Sequence, residues 1–150
     1  MVVIGGGDRE RELKRIAGSL GIGDQVIWHG WAEDMASVLG ACDVLALSSK
    51  DEGTPVAIIE ALALGLPVVA TGVGGVSELL SDVAEARVVP PGCPASFGSA
   101  LRGLAANPRP VSQRVRERVV RRFSVDRLVD DVGALYKREL KRAGVGGEWD

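Results

Sequence analysis

Five short runs rich in β-branched and aliphatic residues recur along the chain, and a stretch with helical spacing follows nearly every one. The runs are "VVI" (2–4), "QVIWH" (25–29), "DVLALS" (43–48), "PVVAT" (67–71) and "ARVVP" (86–90). Their continuous apolar character suits parallel strands covered on both faces. Helices are expected at about 9–20, 34–40, 55–64 and 75–81, then at 94–106, 111–122 and 125–142. Leu13, Ile16, Ala17 and Leu20 give the first helix an apolar face, as Leu128, Val129, Val132, Leu135 and Tyr136 do for the last. Strand–helix alternation with tight loops predicts an α/β domain, a Rossmann-like doubly wound parallel sheet. Such sheets bind ligands where strand ends run into helix starts. The loops in question are "GGGD" (5–8), "GWAED" (30–34), "SKDEGT" (49–54) and "TGVGG" (71–75).

A chain of 150 residues, 46% hydrophobic and 25% charged, fits one soluble domain. No apolar run reaches the ~18 residues of a membrane span, and no secretory signal is visible at the start. Cys42 and Cys93 lack metal-like spacing and read as reduced thiols, which suggests a cytoplasmic protein. Residues 101–142 carry 12 basic and 5 acidic side chains, a local balance of +7 within a net charge of −2. This stretch reads as the solvated face of helices, with peripheral contact at the inner face of a membrane as the sharper alternative. Nucleic acid is not expected, because no aromatic interleaving or nucleic-acid motif accompanies the charge. The last residues, 143–150, are expected to be a flexible tail, with Trp149 fraying or docking.

The glycines of "VVIGGGDRE" fail the dinucleotide spacing, since Glu10 stands where a third glycine belongs, and no Lys-hydroxyl pair supports a P-loop. "SSKDEGTPVAIIEALALG" is more specific. Thr54 suits an N-cap and Pro55 the first helical position. The amides of Val56 and Ala57 then lack intrahelical partners and form a backbone anion site suited to phosphate, with Gly53 admitting close approach of a ligand. Glu60 is the only charge between Val56 and Ala70. Buried and unpaired, it would cost several kcal/mol. It therefore either pairs with an unseen cation or serves a ligand. Glu52 lies on the other side of the amides, placed either for the helix dipole or for a ligand. Two carboxylates flanking a phosphate site match a nucleoside-diphosphate sugar, which has ribose hydroxyls on one side and sugar hydroxyls on the other.

Glu52 and Glu60 resemble the E-x7-E signature of retaining glycosyltransferases of the GT-B fold, the large family-4-like group. The similarity extends over "VIGGGDRERELKRIAGSLGIGDQVIWHGW", "ACDVLALSSKDEGTPVAIIEALALGLPVVATGVGGVSELL" and "FSVDRLVDDVGALYKREL", about residues 2–140. The resemblance implies that residues 2–142 are the donor-binding domain. Glu60 would accept from ribose hydroxyls. Glu52 would be the catalytic-site carboxylate, lying against the donor sugar near the reacting carbon and orienting it. The amides of Thr54, Val56 and Ala57 would receive diphosphate and sugar oxygens. Trp31 and Ala32 match the stretch that meets the base, although Trp31 alternatively closes the core. His29 reads as a strand-end residue, Lys50 as a solvent-facing lysine and Glu78 as a helix-start charge. Gly74 and Gly75 match a glycine pair beside the cleft. The donor would be a nucleotide-diphosphate sugar, with no cofactor or metal expected.

The same family places a strand, a loop with an Arg/Lys pair and a helix upstream of "VVIGGG", and an N-terminal domain that binds the acceptor. The chain is thus expected to be incomplete and inactive by itself. It would have to close the gap of the absent strand, borrow a strand or leave an edge exposed. The rival functions are a non-catalytic nucleotide-sugar-binding or partner-binding module, and a nucleotide-sugar epimerase-like enzyme fragment. The base, sugar, acceptor and oligomeric state are not legible.

Overall fold

The computed structural model describes residues 1–144 and divides into two compact units, Met1–Ala41 and Cys42–Asp150. Trp149 and most of the expected tail lie outside the described residues.

In the first unit, β1 (Val2–Ile4) and β2 (Ile27–Gly30) pair in parallel, joined by α1 (Glu10–Ser19) and a short 3-10 turn. The register runs Val2 to Ile27 and Val3 to Trp28, then shifts before Ile4 reaches Gly30. Gly30 (φ +74°) and Gly5 (φ +101°) permit that shift, and the Gly5 amide donates to the Gly30 carbonyl at 2.7 Å. Helix α2 (Met35–Gly40) starts at Asp34, whose carboxylate accepts from the Ser37 hydroxyl and, at 3.1 Å, from the Ser37 amide. These two bonds hold Asp34 below the usual carboxylate range. The cap's contribution is therefore present above the ordinary aspartate pKa and lost as pH falls through the depressed one.

In the second unit, β3 (Leu45–Leu47), β4 (Val68–Thr71) and β5 (Ala86–Val89) form a parallel sheet in that order. Every residue of the central strand β4 is buried. Helix α3 (Val56–Leu64) packs on β3, β4 and α6 (Gln113–Phe123) through Ile58, Ala61 and Leu62, all fully buried. Burial of a side chain such as Ile58 or Leu62 is worth about 1.5–3 kcal/mol. Gly65 ends α3 with φ +89°, the left-handed cap that glycine adopts without strain. Helices α4 (Val76–Leu80), α5 (Pro94–Ala106) and α7 (Val125–Arg142) complete the unit.

The elements match the sequence expectation to within two residues at each end, and among the described residues the strand ladders are parallel, with one isolated antiparallel bridge between Gly5 and Gly30. The five strands form a two-stranded and a three-stranded sheet. Among the described residues no strand pairing fills the place of the expected upstream strand.

The basic run meets solvent and also makes exposed contacts between helices, each worth little by itself. Arg122 pairs with Glu78 at 3.2 Å, Arg118 pairs with Asp82, and Arg116 Nε donates at 3.1 Å to the Ala63 carbonyl near the end of α3. Both ion pairs tie α6 to α4 or to the residues just after it. The apolar face of α7 is helical as expected but open to solvent. Leu128 is 62% and Tyr136 66% exposed, and no residue of α7 is buried.

Candidate donor-binding site

The loop between β3 and α3 carries the candidate chemistry, and α3 opens one residue later than the sequence suggests. Pro55, with ψ 97°, is the N-cap, so Val56 is the first helical residue and Thr54 caps nothing. Proline's fixed φ suits either a cap or a first turn, and here its extended ψ decides for the cap. The amides of Ile58 and Ile59 both donate to the Pro55 carbonyl, at 3.0 and 3.3 Å. Among the described residues no backbone acceptor meets the amides of Val56 and Ala57. They stand at the positive end of a nine-residue helix beside Val56, which is 61% exposed.

Glu60 lies one turn further along, four residues from Val56 and about 6 Å by helical rise. The corrected start shortens the ~9 Å implied by a helix beginning at Thr54. Positions 56, 60 and 64 share one face, and both Val56 and Leu64 are exposed. Glu60 is therefore only partly buried, at the edge of the solvent stripe of an otherwise apolar helix. Among the described residues its carboxylate has no ion-pair partner, so the cation that would explain it structurally is not there.

Glu52 is partly buried and held. The Ser49 hydroxyl donates to its Oε1 at 2.6 Å. The carbonyl of Ser49 accepts from Thr71 Oγ1, also at 2.6 Å, and Thr71 is buried at the end of β4. The Gly75 amide donates to the Gly53 carbonyl at 3.2 Å. Gly74 and Gly75 thereby acquire a physical reason. A Cβ on Gly74 would fall 1.6 Å from the Glu52 carbonyl oxygen, and one on Gly75 would fall 2.6 Å from that of Gly53. Only bare backbone lets the two loops touch. The Ser49 bond to Glu52 spans only three positions, but nothing local in the sequence marks the bond from Thr71, which spans 22.

Trp31 and Ala32 belong to the first unit. Trp31 is 85% exposed, so it does not close the core. A Cβ on Gly6 would lie 3.4 Å from its indole nitrogen, which puts the ring beside the "GGGD" loop. His29 and Lys50 are exposed, and Glu78 pairs with Arg122 in the first turn of α4. No group of three or more His, Cys, Asp or Glu suited to a metal occurs among the described residues. No helix among them is long and apolar enough to cross a membrane.

Residues 1–107 match the family described as "Glycosyl transferases group 1". The chain belongs to this family. The UDP-Gal:alpha-D-GlcNAc-diphosphoundecaprenol alpha-1,3-galactosyltransferase of Escherichia coli is 28% identical over 138 residues, covering 90% of this chain and 36% of that protein. A D-inositol 3-phosphate glycosyltransferase of Geodermatophilus obscurus is 33% identical, over 84% of this chain and 28% of its own length. The chain thus spans about a third of these group 1 relatives. Among solved structures, sucrose-phosphate synthase from Thermosynechococcus elongatus superposes with a TM-score of 0.84 at 26% identity, over 94% of this chain and 38% of that one. Anabaena Alr3699/HepE in complex with UDP-glucose gives 0.76 at 22% identity, over 91% and 40%. The α/β fold is that of these GT-B glycosyltransferases.

Proposed function

We propose that this chain is the donor-binding part of a retaining glycosyltransferase, taking a nucleotide-diphosphate sugar. The observation that carries the reading is the start of α3. Two helix-end amides without backbone acceptors, Val56 and Ala57, lie along the chain between Glu52 and Glu60, neither of which has a cationic partner among the described residues. In this assignment the amides of Thr54, Val56 and Ala57 take the diphosphate, with Gly53 admitting it closely. Glu60 accepts from the ribose hydroxyls, and Glu52 accepts from the donor sugar and orients it. Trp31 and Ala32 meet the base. During transfer the same amides stabilise the departing nucleotide diphosphate, where negative charge accumulates. No metal is required for that task. Residues 2–142 form the donor-binding domain, and an acceptor-binding part supplied alongside it completes the enzyme. The UDP-glucose held by Alr3699/HepE, a protein of the same fold, supports this ligand class.

Calorimetric titration with UDP-, GDP- and ADP-sugars tests the reading. Saturable binding of at least one is expected, and no binding by any member of the panel would overturn it. Trp31→Ala should weaken binding of the preferred nucleotide about fivefold or more, since stacking on a base is worth ~1–3 kcal/mol. Its melting temperature should not change, because the ring is almost wholly exposed. Equal affinity in the variant would remove Trp31 from the site.

A further inference from the structure

We propose that Ser49 is a positioning residue for Glu52, an assignment that rests on the donor-site reading above. The Ser49 hydroxyl donates its single proton to Glu52 Oε1 at 2.6 Å. The bond uses one lone-pair site of Oε1 and leaves Oε2 wholly open to accept from a sugar hydroxyl. A glutamate side chain has three rotatable bonds, and one such donor selects among its rotamers. Ser49 is itself fixed from the sheet. Its carbonyl accepts from Thr71 Oγ1, and Thr71 closes β4, whose residues are all buried. On the other side, the Gly75 amide holds the Gly53 carbonyl, and Gly74 lies against the backbone of Glu52. Rigidity thus passes from β4 through Thr71 and Ser49 to the carboxylate. Precise placement of a group near the reacting centre is where small displacements cost most. Ser49 therefore governs how the sugar is held and leaves the nucleotide untouched.

The test compares each nucleotide sugar with its parent nucleotide on this chain, using UDP-glucose against UDP and GDP-mannose against GDP. In Ser49→Ala the ratio of sugar-nucleotide to nucleotide dissociation constants should rise about tenfold, as expected for loss of one oriented charged contact. Affinity for the bare nucleotide should stay within about twofold, and Ser49→Thr should restore the wild-type ratio. An unchanged ratio in Ser49→Ala would overturn the assignment. So would an equal loss for nucleotide and nucleotide sugar, since that marks a general role in loop structure. A wild-type chain that binds none of the four ligands, nor any other sugar nucleotide of the panel above, would instead overturn the donor reading itself, and this assignment with it.

Discussion

Glu60→Ala should weaken binding of the nucleotide-sugar donor by tenfold or more while leaving the protein as stable as before. A hydrogen bond to a charged group contributes about 1.5–3 kcal/mol, or roughly 10- to 150-fold in affinity. The stability side follows from position. Glu60 lies at the edge of the solvent stripe of α3, turned away from the buried Ile58 and Leu62, and loses no ion pair when truncated. Alanine is the better helix former by a few tenths of a kcal/mol, so the melting temperature should hold or rise slightly. Calorimetric titration and a thermal melt of the same sample separate the effects. A variant that binds donor normally would end the ribose assignment. One that melts several degrees lower would show that Glu60 serves the fold.

Gly74→Ala should act in the opposite way, damaging the fold first. Gly74 has φ +51°, and the added methyl would fall 1.6 Å from the Glu52 carbonyl oxygen, too close for a side chain to adjust around. The left-handed backbone alone costs an alanine about 1–2 kcal/mol. Relieving the clash requires the 49–53 loop to separate from the glycine pair, which breaks the Gly75–Gly53 bond. The total is expected to reach about 3 kcal/mol, among the larger effects of single substitutions. For a chain of this size that lowers the melting temperature by roughly 6–12 °C. Donor binding should fall with it, because Glu52 moves with its carbonyl. Gly53→Ala supplies the contrast. A Cβ there meets nothing within 4 Å in the protein, so stability should be unaffected, whereas a ligand approaching closely would be obstructed. A Gly74→Ala protein with wild-type melting and binding would show that the loops are not locked together.

Much of this was open to reading because period and punctuation agree locally. The runs "VVI", "PVVAT" and "ARVV" are short and apolar, and each forms a strand where expected, although of the three only β4 is covered throughout while β1 and β5 are partly open to solvent. The candidate site can be outlined from sequence in the same local way. Glu52, Gly53 and the amides of Val56 and Ala57 are consecutive features of one loop and helix start. What escaped depends on the third dimension. Pro55 favours a cap or a first turn equally until its ψ is known. Composition shows an apolar run around Glu60, whereas the spacing of 56, 60 and 64 puts it at the edge of a solvent stripe, only partly buried. Ser49, Thr71 and the reason for Gly74 needed a loop-to-loop approach across some twenty residues. Arg116, Arg118 and Arg122 looked like surface charge because their partners, at Ala63, Asp82 and Glu78, are 36 or more positions away. The open face of α7 has the amphipathic pattern of a packed helix, and nothing within the described residues covers it.

The central claim is that backbone amides at the head of α3 take the diphosphate. Amide chemical shifts of the nitrogen-15-labelled chain, followed as UDP or GDP is added, test it residue by residue. The account predicts that Val56 and Ala57 move most, with Thr54 close behind, as their N–H groups gain a charged acceptor. Nucleotide binding that shifts amides elsewhere and leaves those of Thr54, Val56 and Ala57 unmoved would contradict it.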